Sequence, residues 1–316
     1  MPQGKINIDN SNLTPIAECT TKAALTALDL GGRSDSRDAM DAGSVMHDGL
    51  HKHYLGGTRD ESFAALDKSY DEYFPAEKPA EEDRLSRGNL QDIFGVFVSR
   101  HAVDREPFEV LEAEQIVGCP LDDAGDIIIW AKRDLLVKDK ATRIILPLDH
   151  KSTGAVNFRW QNGWQLSSQL SGYTWLTAKQ TKGICTGCYV NAIEMRMLPT
   201  STKRCPTHKM PYNECRLEHA VIKLLFYEYT QDMQDAWRST AIMLVRRLQK
   251  IKKWYPTIEM VSYAPTEGMF NRSCAFCGFK KYCRAGRPAH AVDQFLQYNH
   301  FAPWESEERI YFDWRS

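Results

Sequence analysis

Arg143-Ile144-Ile145-Leu146-Pro147-Leu148-Asp149-His150-Lys151 is the stretch from which the rest of the chain is best read. A short apolar run that ends in charged residues has the pattern of a buried strand. Side chains alternate along a strand, so Asp149 and Lys151 share one side of it. Fifteen residues upstream, Asp134 lies within or at the turn of the preceding β-branched run, Asp126–Val137. Two neighbouring antiparallel strands can thus bring both carboxylates to one metal ion. Hard divalent cations such as Mg²⁺ and Mn²⁺ prefer oxygen ligands of this kind. Lys151 beside them can orient or help deprotonate an attacking water and offset phosphate charge. A metal there polarises a phosphoryl oxygen and lowers the pKa of the water. Asp-x-Lys alone is commonly a surface ion pair, so its neighbours decide the reading.

Outward from this point the pattern is helical on one side and mixed on the other. Thr14 to Leu28, a segment starting near Asp38, Asp60–Phe74 and Glu81–Val103 carry apolar residues at helical spacing, with Pro75–Pro79 as a break. Phe108–Val117, Asp126–Val137 and Arg143–His150 read as a strand meander. Gln161–Lys179 returns to a helical period, Gly183–Arg196 and Ala220–Tyr229 read as strands, and Asp232–Trp254 as a long helix with a basic polar face. From Tyr255 the chain is expected to hold little regular structure. The order predicts an α/β core, a mixed sheet flanked by helices. Three regions follow: an N-terminal helical segment (1–105), a core (106–255) and a cysteine-bearing C-terminal segment (256–316) packed on the N-terminus.

The 316 residues carry a formal charge of −1, and 43% are hydrophobic, a globular value. The total hides an asymmetry: Ser34–Asp123 has 21 acidic and 9 basic residues, whereas Arg238–Arg287 has 11 basic and 2 acidic. A basic end can neutralise phosphates while an acidic region gathers cations; both also suit ordinary solvated faces. The longest apolar runs are too short for a bilayer, and the polar start lacks an export signal. No membrane association and a cytoplasmic location are therefore expected. No flavin or nicotinamide fingerprint is present.

Asp134 in one strand, Asp149-x-Lys151 in the next, then a helix bearing Gln169-x3-Tyr173, resembles the order of the PD-(D/E)xK nuclease superfamily. Upstream, Gly43-x3-His47 resembles the extra helical motif of its RecB-like branch, which includes the AddB nuclease domain and the CRISPR-associated exonucleases. The resemblance implies a restriction-endonuclease-like core and a Mn²⁺- or Mg²⁺-dependent deoxyribonuclease, an exonuclease before an endonuclease. It also implies DNA as substrate, in single strands or duplex ends, with a helicase, recombination or CRISPR protein as the class of protein partner. His47, Asp134 and Asp149 would bind the metal, Lys151 would be catalytic, and Gln169 and Tyr173 would support the site or touch DNA. One departure is Arg133 where the family name has proline. Gln161, Gln165 and Gln169 recur every four residues, so the glutamine is not fixed by spacing. His51 lies one turn beyond His47, and such an i, i+4 pair could bind a transition metal unaided. Glu112 and Glu114 are possible extra acidic groups, with polar strand positions the more economical reading. A non-cutting DNA-binding protein of the same fold and an iron–sulfur redox protein are the rival readings.

Nine cysteines, an odd number, argue against a disulfide framework. Cys274-x2-Cys277-x5-Cys283 can wrap one face of a cluster or ion, with Cys19 as fourth ligand. This arrangement resembles the 4Fe–4S site of the AddB and CRISPR-associated nucleases; zinc is the alternative. Such a bond would close a very long loop and fix the two ends. Arg272, Lys280, Lys281 and Arg284, interleaved with Phe276, Phe279 and Tyr282, suit phosphate contacts and base stacking, or packing over the cluster. Cys185-x2-Cys188 with Cys205, His208 and Cys215 reads as a strand followed by a polar hairpin in preference to a second metal site.

Overall fold

Asp134 sits near the middle of β4 (Ile127–Asp139), one of the two longest described strands and the one on which the sheet is assembled. The computed structural model describes residues 5–32, 38–76, 80, 82–104, 107–271, 273–300 and 302–315. β1 (Ile6–Asp9), β3 (Phe108–Pro120), β5 (Ile145–Thr153), β6 (Gly187–Glu194), β7 (Ile222–Glu228) and β9 (Ile310–Tyr311) complete a seven-stranded mixed sheet in the order β7-β6-β5-β4-β3-β9. β1 joins β4 off this path. β5 pairs with residues 135–138 of β4, and β1 with residues 127–130, so two strands share one edge of β4 and part company near Asp134. The parallel β5–β6 pair needs a crossover. The crossover contains α6 (Phe158–Asn162) and α7 (Ser168–Thr181).

On one face lie α1 (Leu13–Glu18), α2 (Thr20–Ala27), α7 and α8 (Gln231–Trp254), sharing a core with Ile129, Ala131, Cys188 and Val190 of the sheet. Trp175 and Leu176 of α7 and Val245 of α8 are fully buried there. A second core joins α3 (Asp38–Tyr54), α4 (Arg59–Tyr73) and α5 (Arg87–Asp104) to Ile193, Met195 and Leu198. Local chemistry sets the ends of these helices. Thr58 and Glu61 form a reciprocal cap on α4, and Ser167 and Thr230 accept the Leu170 and Met233 amides at the starts of α7 and α8.

Two expected helices are broken. Thr14–Leu28 is interrupted at Cys19, whose backbone is extended (φ −163°, ψ 131°). The amide of Thr20, orphaned by the break, donates to Glu267 Oε2 at 2.7 Å, so the C-terminal segment caps α2. Gln161–Lys179 is likewise split between Asn162 and Ser168. The tail holds more regular structure than expected. β8 (Leu296–Tyr298) pairs with β2 (Leu30–Gly32), β9 joins the main sheet, and α9 (Ile258–Val261) and α10 (Lys280–Arg284) are short helices. A Cβ on Gly32 would collide with the Gly278 carbonyl, which fixes glycine where the two ends of the chain meet.

Candidate active site

Three adjacent strands each carry one carboxylate to the same place. β3 pairs Ala113 with Leu135 and Gln115 with Arg133, which sets Glu114 opposite Asp134. β5 pairs Leu148 with Leu135, and one step further Asp149 flanks Asp134 from the other side. Neighbouring strands are about 4.8 Å apart, so the three acids form a row across the sheet. Opposed like charges weaken a sheet, and each member of this row has a cationic or imidazole neighbour. Lys132 pairs with Glu114, His47 Nδ1 lies 3.6 Å from Asp134 Oδ2, and Lys151 Nζ lies 2.7 Å from Asp149 Oδ2.

His47 reaches the row from α3, one turn beyond Gly43, and both line a cleft of about 760 Å³ together with Asp9, Glu114, Asp134, Asp149, Lys151, Gln169 and Tyr173. The residues expected at the site from the sequence are thus gathered in one cleft. Ligand atoms of His47, Glu114 and Asp134 lie within 4.8 Å of one another. One imidazole and two carboxylates make a donor set suited to a divalent cation. Burial, and then the Asp149 charge, push Asp134 up to about 6, while His47 and Lys151 pull it down. Burial disfavours the Lys151 ammonium too, yet Asp149 and Asp134 outweigh it and hold Lys151 above its ordinary value. The backbone amide of His150 donates to Asp134 Oδ2 at 2.6 Å and fixes that carboxylate.

Glu114 is the residue that sequence reading underrated. The register slips between Val110 and Glu112, and Glu114 itself is left-handed at φ 53°. The slip precedes both glutamates, so it is the left-handed backbone at Glu114 that breaks the alternation between them, and nothing in Glu112-x-Glu114 announces it. Glu112 faces elsewhere. It pairs with the fully buried Arg133 at 2.8 Å, and Arg133 also donates to Thr177 at 2.9 Å and Gln180 at 2.6 Å. The arginine that stands where the family name has proline is therefore a buried strut to α7.

Among the recurring glutamines, Gln169 lines the cleft, whereas Gln161 lies in α6 and donates to the Val156 carbonyl at 3.4 Å. Tyr173 Oη donates to the Lys132 carbonyl and accepts from Gln169 Nε2, each at 2.8 Å. His51 faces a separate groove with Lys52 and Glu72, so it does not join His47.

Cys19, Cys274, Cys277 and Cys283 surround a second cavity of about 400 Å³. A Cβ on Gly268 would lie 3.0 Å from Cys274 Sγ and 3.7 Å from Cys19 Cβ, so glycine keeps this cradle open. Burial, then the neighbouring Cys277, push the Cys283 thiol up to about 11. Thr20 Oγ1 donates to Glu267 Oε1 at 2.6 Å, Arg247 reaches the same oxygen at 2.9 Å, and Asn271 donates to the Glu18 carbonyl at 2.8 Å. Lys280 and Arg284 line the cavity; Lys281 shares their short helix, and Arg272 lies outside the described residues. Phe279 and Tyr282 are buried in the core, which corrects the base-stacking reading for both. No described helix is long and apolar enough to cross a membrane.

Among curated proteins, none matches the chain in sequence. Several solved structures resemble it, among them the following two. A "putative exonuclease" from Eubacterium rectale shares 11% identity, with 91% of this chain and 92% of that one covered and a TM-score of 0.49. The protein SSO0001 shares 13% identity, with 84% and 94% covered and a TM-score of 0.34. The sequence model of the PD-(D/E)XK nuclease superfamily matches residues 10–284, a span that includes the carboxylate row, Lys151 and the three clustered C-terminal cysteines. With that match over most of its length, the chain belongs to the PD-(D/E)XK nuclease superfamily, hydrolytic nucleases that use divalent metal ions.

Proposed function

We propose that the protein is a Mn²⁺- or Mg²⁺-dependent DNA exonuclease acting on single strands or duplex ends. The observation that carries the proposal is the meeting of His47, Glu114, Asp134, Asp149 and Lys151 in one cleft. His47, Glu114 and Asp134 would hold the cation, with Asp149 bordering it; an imidazole ligand favours Mn²⁺. When bound, the ion supplies Lewis acidity toward a phosphoryl oxygen and lowers the pKa of water. Lys151, anchored by Asp149, orients the attacking water and offsets charge on the scissile phosphate. Its indole neighbour Trp164, 5.3 Å from Nζ, limits where the ammonium can swing. Gln169 and Tyr173 hold the β4 backbone at Lys132 and so keep Asp134 in line. Basic residues of α8, among them Arg246 and Lys250, border a separate surface groove and suit non-specific phosphate contacts.

The four-thiol cavity is proposed to hold a 4Fe–4S cluster that joins the ends of the chain. Among the described residues, two groups bring three or more ligand atoms within 4.8 Å of each other, and the four thiols are not one of them. A lone tetrahedral zinc, with Zn–S of about 2.3 Å, needs closer sulfurs than that cavity provides.

The test is incubation of anaerobically purified protein with end-labelled single- and double-stranded DNA and Mn²⁺. Mononucleotide release from ends is expected, abolished by EDTA. Cleavage of a closed circular single strand as fast as of a linear one would replace exonuclease with endonuclease. Full activity in Asp149→Ala would remove the site assignment.

A further inference from the structure

Between β6 and β7 the chain makes an excursion, residues 196–220, that has little apolar matter to order it. Leu198 and Ala220 at its ends are buried, whereas Met197, Met210 and Leu217 are exposed. Excursions of this length without regular structure are uncommon in a folded domain unless something pins them. Two side chains buried inside it are thiols, Cys205 and Cys215.

We propose that Cys205, His208, Cys215 and His219 form a structural zinc site, separate from both the cleft and the four-thiol cavity. Cys205 Sγ lies 3.6 Å from His208 Nδ1 and 3.6 Å from His219 Nε2, and Cys215 Sγ lies 3.6 Å from the same His219 nitrogen. All four ligand atoms fall within 4.8 Å of one another. A tetrahedral ion with Zn–S of about 2.3 Å and Zn–N of about 2.0–2.1 Å requires S···N separations of about 3.6 Å. The three sulfur–nitrogen separations equal the one a tetrahedral ion requires. Two thiolates with two imidazoles and no fifth ligand suit zinc in a closed, structural role better than an oxygen-seeking cation.

The backbone around the ligands is built as a knuckle. Arg204 and Pro211 form an isolated antiparallel bridge, and the Cys205 amide donates to the Met210 carbonyl at 2.7 Å. Lys209 turns the hairpin in the left-handed region at φ 58°. The second ligand pair comes from Cys215 and from the 3-10 turn Arg216–His219 that follows it. Arg216 in that turn pairs with Asp92 of α5 at 2.5 Å, and Arg196 donates to the His219 carbonyl at 2.7 Å. The ion would thereby seat the excursion against the helical layer that carries His47.

The test is metal analysis of the full chain purified without chelator. One zinc per chain is expected, lost in Cys205→Ser/Cys215→Ser and kept in Cys274→Ser. Zinc unchanged in the double variant overturns the proposal, as does a Cys205–Cys215 disulfide in a non-reducing peptide map. Should the double variant fail to fold, zinc-edge X-ray absorption of the unaltered protein decides. Mixed sulfur and nitrogen neighbours support the site, and a sulfur-only shell or a protein without zinc overturns it.

Discussion

The carboxylate row and the four-thiol cavity are both candidate metal centres, and they are built in opposite ways. The row stands on three paired strands, with Asp134 fixed by the His150 amide and His47 brought in by a seventeen-residue helix. Its geometry therefore exists before any ion arrives, at the cost of crowded negative charge. The thiols instead sit at a helix break, on and just after one 3-10 turn, and on the short helix α10, joined by hydrogen bonds between segments some 250 residues apart, such as Asn271 to Glu18. One centre is a site that the fold makes; the other, with the proposed cluster in place, would help to make the fold. Loss of function and loss of stability should accordingly separate between them.

The largest effect is expected from the row. Asp149→Asn or Asp134→Asn should lower cleavage on the order of 10³-fold or more, roughly 4 kcal/mol of barrier. Because each change removes a charge from a crowded set, thermal stability without metal should stay level or rise. A calorimetric Tm several degrees below that of the unaltered chain would contradict the idea that the strands alone set this site. Cys274→Ser should do the reverse. Visible absorbance is lost, and stability falls by about 2–5 kcal/mol, the range for losing a long-loop cross-link. Whatever chain remains folded should keep its Mn²⁺ affinity. Denaturant unfolding and isothermal titration on one preparation check both statements.

A smaller change separates the members of the row. Glu114→Gln should weaken Mn²⁺ binding by about 10–100-fold, as losing one of several ligands or supports does, while Glu112→Gln should leave it unaltered. Equal effects would mean that the left-handed backbone at Glu114 does not set the site. Proton competition gives a related expectation. A carboxyl raised to about 6 in the fold is ionised only at higher pH than in the unfolded chain. Its contribution thus favours the metal-free fold at low pH and is lost as pH rises through 6. A cation binds the ionised form, so Mn²⁺ affinity should fall about tenfold per unit below pH 6 and level off above pH 7. Titrations at pH 5, 6, 7 and 8 measure this.

The same contrast explains what could be read from the sequence. Asp134, Asp149 and Lys151 were legible because strand period and spacing are local, and a strand meander carries that information directly. His47 and Gln169 came from a resemblance in motif order, and each lines the cleft. Glu114 was hidden because its left-handed backbone, two residues after Glu112, breaks the alternation that a regular strand would give the pair. The break at Cys19 was hidden for a different reason. Its cap comes from Glu267, and no window on Thr14–Leu28 contains that carboxylate. His219 was missed as a partner of Cys205 because it arrives fourteen residues later, on a 3-10 turn. Cys185 and Cys188, by contrast, are buried among core side chains, as strand cysteines should be.

Tyr173→Phe should give the smallest effect and yet discriminates best between a supporting role and a catalytic one. The phenol makes two hydrogen bonds, to the Lys132 carbonyl and from Gln169, within a buried setting that pushes its own ionisation well upward. It is therefore poorly placed to act as a base. Removing the hydroxyl leaves one carbonyl and one amide short of a partner, a loss of about 1 kcal/mol in stability. The β4 backbone at Lys132 would be freed to shift by a fraction of an ångström, and Asp134 two residues on would follow. Cleavage should fall only a few-fold, with the loss in Mn²⁺ affinity rather than in the rate at saturating metal. A drop of a hundredfold at saturating Mn²⁺, or a shift of the pH profile, would instead place the phenol in contact with the reacting phosphate. The cleft would then extend its chemistry from the sheet onto α7.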